Sequence, residues 1–128
     1  MSDPVRTPLG TVRGLGSAKE GAHHFIAQRA SAVALLFLVP WFLISLLDAI
    51  RGDYGDARAF IAQPVNAVLI LLTIGAALYH MRIGMQVVIE DYIGRTATRL
   101  ALLMLSTFLC ILAFAAAAYA VVAVAVSA

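Results

Sequence analysis

Three residues in this chain carry types and spacings that allow chemistry: His80, Asp91 and Tyr92. His80 stands deep within an apolar stretch, and Asp91 and Tyr92 follow where that stretch turns polar. At about 1.5 Å of rise per residue, His80 and Asp91 lie about 16 Å apart along a helix. Their separation makes three turns plus about 20° of rotation, so they share one face, with Gly84 and Val87 between them. A hydrocarbon core is about 30 Å thick. With Asp91 at one interface, His80 therefore sits near mid-depth. A mid-depth imidazole, a glycine one turn on and an acid at the rim suggest a planar group lying against the helix.

An ionisable side chain inside a membrane span is a functional-site hypothesis by default. For His80 two uses compete: a hydrogen bond between helices, or ligation of a metal or haem iron, for which neutral imidazole is suited. No Cys-x-x-Cys-His run is present, so a haem would be held without covalent attachment. Two imidazoles on one iron bring their nitrogens to about 4 Å, from metal–nitrogen bonds of ~2 Å each. His23 and His24 precede the first apolar run and belong near the surface, so a second axial histidine has to come from another chain. Arg29 and Ser31 open the first span. The arginine is either an interfacial anchor or an inward-facing group that binds an anion. Arg82 either snorkels to the surface or meets a carboxylate such as a haem propionate. Asp91 and Tyr92 read as an interfacial cap with an aromatic-belt residue. They also read as a proton-carrying group beside a phenol donor, which suits a carbonyl ligand that takes up protons as it is reduced.

The elements that position these residues follow from composition. The chain has 128 residues, 62% hydrophobic and 12% charged, with a mean hydropathy of +0.94. Soluble domains are nearer half apolar and about a quarter charged. The chain is a single membrane-embedded helical unit, and its net charge of +2 is too small and scattered to engage nucleic acid. Cys110, the one cysteine, lies in an apolar run and reads as a small buried hydrophobe.

Residues 1–24 form a polar, glycine-rich N-terminal tail, expected to be poorly ordered, and residues 25–126 form a three-helix transmembrane domain with spans at about 25–47, 61–91 and 99–126. Pro40 predicts a kink in the first span. Residues 48–58 read as a loop, Pro64 as a first-turn residue of the second span, and Gly94 as its stop. Trp41 is expected deep and against a partner. In the third span, Ala113 with Ala117, or Ala116 with Ala120, offers a small-residue face for close helix approach; the span looks structural. Polar His80, Arg82 and Arg29 are expected to need partners beyond the three spans. Arg6, Arg13, Lys19, Arg29, Arg82, Arg95 and Arg99 fall on one side of such a topology, and Arg51 and Arg58 on the other. The positive-inside rule makes the first side cytoplasmic, or matrix. The N-terminus is then cytoplasmic, the C-terminus opposite, and Asp91 and Tyr92 face the cytoplasmic side.

The His80…Asp91-Tyr92 spacing, Gly84, and the run Gly21-Ala-His-His-Phe-Ile-Ala-Gln-Arg29-Ala-Ser-Ala resemble the small hydrophobic membrane anchor of succinate dehydrogenase, the D-type subunit of respiratory complex II. The resemblance spans about residues 15–126. It implies an all-α integral membrane protein of the inner, cytoplasmic membrane, whose three helices join a second membrane (cytochrome b) subunit in a haem-binding bundle. A flavoprotein subunit would oxidise succinate, and an iron–sulfur subunit would carry electrons to ubiquinone. By the same resemblance His80 is one axial ligand of haem b, Tyr92 hydrogen-bonds a ubiquinone carbonyl with support from Asp91, and Arg29 and His23 lie near the haem propionates. Arg82 and Glu90 take no role from the family pattern. The competing class is a small transporter subunit or a helix-packing protein without cofactor. A proton-coupled transporter calls for an acid at mid-membrane, and the acids here sit at the rims.

Overall fold

The computed structural model describes residues 7–13 and 19–127. The tail expected over 1–24 thus lies partly outside the described residues, Arg6 included. The elements are α1 (Pro8–Arg13), α2 (Lys19–Ala49), α3 (Tyr54–Ala62), α4 (Pro64–Tyr92) and α5 (Thr96–Ser127). Three of them are long and apolar enough to cross a membrane: Gly21–Ala49 within α2, α4 and α5. Helices of 31, 29 and 32 residues run about 43–48 Å, well beyond a core of about 30 Å. Their ends project from the hydrocarbon, or the helices tilt.

Several boundaries differ from expectation, each for a local reason. α2 begins at Lys19 rather than at 25, so the last residues of the expected tail are helical turns. Polar residues are tolerated where a helix leaves the hydrocarbon, and Gly21 alone costs only about 1 kcal/mol. α2 continues through Pro40. The expected loop at 48–58 contains α3 instead. Asp53 caps it: its Oδ1 accepts from the Asp56 N–H at 2.9 Å, and its own N–H donates to Asp56 Oδ2 at 3.1 Å. This reciprocal capping box satisfies donors that a helix start leaves open. The span expected from 61 starts at Pro64, because Gln63 is extended at φ −64°, ψ 126° and the residue before a proline avoids the helical region. Asn66 Nδ2 stitches that corner by donating to Phe60 O at 2.9 Å. At its other end α4 stops on Ile93, extended at φ −103°, ψ 101°, whose N–H still reaches Ile89 O. Gly94 follows without the left-handed backbone of a glycine stop.

α4 is the central helix, antiparallel to both neighbours. Along α2, Ser31 meets His80 and Trp41 lies against the cluster around Ile70. Along α5, Thr107 meets Arg82, Phe114 meets Gly75, and Val121 meets Ile70. The apolar cluster joins Ala67, Ile70 and Val121, with Trp41, Phe42, Phe60, Ile61, Leu71 and Ile74 packed around it. The partner expected for Trp41 is thus within the chain. The close approach of α5 is made by a glycine on α4 rather than by the alanine pairs. A Cβ on Gly75 would stand 3.3 Å from Phe114 Cε2, while Ala113, Ala116 and Ala120 are exposed and only Ala117 is half-buried.

Large apolar side chains such as Leu36, Phe37, Ile44, Phe108 and Leu112 point outward, the inverse of a soluble bundle and the pattern of helices solvated by lipid or by other subunits. The start of α2, the end of α4 and the start of α5 share one end of the bundle, with His80 about 18 Å in from it along α4. α3 and the C-terminus of α5 share the other, where Arg58 donates to Ser127 O and Oγ at 2.8 Å each.

Candidate functional site

His80 is half-buried in the seam between α4 and α2, and both ring nitrogens face groups on α2. Nδ1 stands 2.9 Å from Ser31 Oγ. Nε2 stands 3.4 Å from the amide nitrogen of Gln28, at the long limit of hydrogen bonding. Ser31 Oγ also donates to Gln28 O at 3.0 Å.

One turn towards the end of the bundle the seam opens into a cavity of about 670 Å³, lined by Gly21, His24, Phe25 and Gln28 of α2 and by Gly84, Gln86, Val87 and Glu90 of α4. Two buried polar atoms here have no hydrogen-bond partner: His24 Nε2 and Gln28 Oε1. A buried polar group without a partner costs about 1–3 kcal/mol, so their place beside a cavity marks it as a site for a further group. Gly84 keeps its wall open. A Cβ there would meet nothing closer than Gln28 Nε2, at 3.8 Å. At the mouth, Gln86 Nε2 donates to Glu90 Oε1 at 2.9 Å.

Of the residues singled out in the sequence, Gly84 and Val87 line this cavity and His80 lies one Gln28 side chain away. Arg29 and His23 are at the same end and exposed, with the Arg29 guanidinium carbon 5.2 Å from the centre of the Phe25 ring. Asp91 and Tyr92 close α4 on the outside of the three helices. Tyr92 is 82% exposed, and neither residue lines the cavity.

Arg82 points the other way. Its Nε donates to Thr107 Oγ1 on α5 at 3.2 Å, and that hydroxyl donates to Leu103 O at 2.8 Å. Being about 200° round the helix from His80, it is held by the α4–α5 seam. The expectation that His80, Arg82 and Arg29 lack partners within the spans is therefore corrected: Ser31 and Gln28 serve the first, Thr107 the second and Phe25 the third. Nor is α5 free of polar function, since Thr107 satisfies a cation at membrane depth.

Sequence reasoning missed Gln28 and His24 as site residues and left Ser31 as a marker of the span's start. A signal was present. His24, Gln28 and Ser31 follow at intervals of four and three, one helix face.

The donor set fits an iron porphyrin. A ligating histidine characteristically has its other ring nitrogen hydrogen-bonded, which fixes ring orientation. Here one nitrogen is held at 2.9 Å, the other faces only a long amide contact, and a cavity with two unpaired polar atoms adjoins.

Comparison with known proteins gives the family. Residues 3–126 match the family described as succinate dehydrogenase/fumarate reductase transmembrane subunit. The chain is similar to a succinate dehydrogenase hydrophobic membrane anchor subunit of Rickettsia bellii, 34% identical over 122 residues, covering 93% of this chain and 98% of that protein. It is likewise similar to the subunit of that name from Paracoccus denitrificans, 35% identical over 114 residues, covering 89% and 88%. For that of Rickettsia typhi the figures are 35% over 100 residues, 78% and 80%.

Proposed function

The chain belongs to the succinate dehydrogenase/fumarate reductase transmembrane subunit family, a multi-pass membrane anchor associated with the other subunits of that enzyme, and from that premise we propose that it helps to hold haem b and ubiquinone in a succinate:ubiquinone oxidoreductase. The observation that carries this reading is the hydrogen-bonded, half-buried imidazole of His80 inside a span. His80 would hold the haem iron together with a residue of the partner membrane subunit. Haem, when bound, supplies one-electron transfer that no side chain here provides. Gly84 and Val87 give it a flat wall. Among the described residues Arg29 has the Phe25 ring as its contact, worth about 0.5–1 kcal/mol when exposed, so a propionate is a better partner for it. His23, exposed at the same end, takes the same role in this reading.

Tyr92 donates its phenol proton to a ubiquinone carbonyl, and Asp91 beside it supports proton delivery. Both are exposed in this chain, so the remaining walls of the quinone site belong to neighbouring subunits. The cations Arg29, Arg95 and Arg99 lie at this end, which makes it the cytoplasmic side by the positive-inside rule. The iron–sulfur and flavoprotein subunits dock there, while succinate itself binds elsewhere. The outward apolar side chains of α2, α4 and α5 meet lipid and the second membrane subunit.

Two assays on the purified complex test the quinone assignment. Tyr92→Phe keeps the ring and removes one hydrogen bond of about 0.5–1.5 kcal/mol, so quinone reduction should fall about two- to tenfold. Asp91→Asn should act in the same direction. Succinate oxidation with an artificial acceptor that intercepts electrons upstream should not change. Equal losses in both assays would mean damaged assembly, and no loss in either would place the quinone elsewhere.

A further inference from the structure

We propose that Ser31 is the positioning residue of His80: it fixes the imidazole as the Nδ1–H tautomer and leaves Nε2 as a bare lone pair. The use of that lone pair for iron rests on the reading above; the tautomer does not.

Ser31 is 7% exposed, the one buried side chain described on α2. A helix that buries a hydroxyl in preference to its many leucines and valines is using it. A serine hydroxyl has one proton and two lone pairs. Ser31 Oγ lies 3.0 Å from Gln28 O and 2.9 Å from His80 Nδ1. The carbonyl can only accept, so the hydroxyl proton goes to it. The bond to Nδ1 then needs its proton from the ring. The second ring nitrogen gives the same answer independently. Nε2 faces the Gln28 amide nitrogen at 3.4 Å, and an amide nitrogen only donates, so Nε2 is the acceptor.

The opposite tautomer creates two conflicts. An Nε2–H would confront the amide N–H, and Ser31 Oγ, giving its proton to Nδ1, would set two acceptors facing across 3.0 Å. Turning the Gln28 amide over removes the first conflict and leaves the second. The consequence is chemical. A ligating imidazole must present an unprotonated nitrogen, and an acceptor on its other N–H raises its donor strength. Ser31 does both, and the long Gln28 contact is the one that yields when Nε2 takes a ligand.

The full chain, labelled with 15N-histidine in lipid bilayers at about pH 8, where ordinary imidazoles are neutral, reads the tautomer directly. A His80→Ala sample identifies the His80 signals among the three histidines. The wild type should show the proton on Nδ1. Ser31→Ala should lose that bias, and Ser31→Thr, which keeps the hydroxyl, should restore it. A wild-type His80 protonated on Nε2, or a Ser31→Ala signal identical to wild type, overturns the proposal. In the assembled complex, Ser31→Ala should raise the haem midpoint potential, because a weaker donor stabilises ferric iron less, and Ser31→Thr should return it. An unchanged potential in Ser31→Ala would overturn the use of that lone pair for iron and leave the tautomer to the 15N result. A wild-type complex without haem would instead sink the haem reading and leave the tautomer result standing.

Discussion

At the α3 end of the bundle, Ala67, Ile70 and Val121 are buried against one another, Trp41 and Phe60 pack over them, and Thr73 returns its hydroxyl to Leu69 O at 2.7 Å. At the histidine end, the same α2–α4 seam buries Ser31, suspends His80 between a good hydrogen bond and a long one, and leaves His24 Nε2 and Gln28 Oε1 unpaired beside a cavity. One pair of helices thus makes a closed apolar joint at one end and an open polar one at the other. In hydrocarbon, helices gain from packing and from satisfied polar groups, not from hiding apolar surface. A seam that gives up both is kept for something it binds.

If the α3 end is only packing, damage there should cost stability and spare the chemistry. Ile70→Ala, at a site 6% exposed, should destabilise the subunit by about 2–5 kcal/mol, read as a lower midpoint for thermal or detergent unfolding of the complex. The haem spectrum and quinone turnover per assembled complex should stay at wild type. Loss of the spectrum at full stability would erase the contrast between the two ends.

A smaller effect separates the two seams of α4. Thr107→Val removes the acceptor of the half-buried Arg82 Nε and should cost about 1 kcal/mol, the low end of the penalty for leaving a donor unpaired. Because Arg82 faces α5 and not α2, the haem spectrum should again be unmoved, and unfolding midpoints would show the loss. A changed haem potential in Thr107→Val would mean that Arg82 reaches the α2 side after all.

The spans themselves were legible, because charge-free runs of that length have few alternatives to membrane helices. His80, Gly84 and Val87 on one face were legible too, from helical periodicity alone. α3 was not, although its capping box is written in Asp53 and Asp56; near-cancelling charges and glycines made the segment read as a loop. Pairings between helices were beyond reach. Spacing within a helix says that His24, Gln28 and Ser31 share a face, but that His80 meets Ser31 and that Arg82 meets Thr107 depends on the register of two antiparallel neighbours. For the same reason the sequence leaves the partners of Arg82 and His80 open.

The central claim is that the open end of the α2–α4 seam holds haem iron through His80. The direct measurement is the reduced-minus-oxidised visible spectrum of the purified complex, wild type beside His80→Ala. The wild type should show a b-type haem. His80→Ala should lose it or shift its bands and potential, while succinate oxidation with an upstream acceptor persists. A His80→Ala complex whose haem spectrum and midpoint potential match wild type would contradict the account.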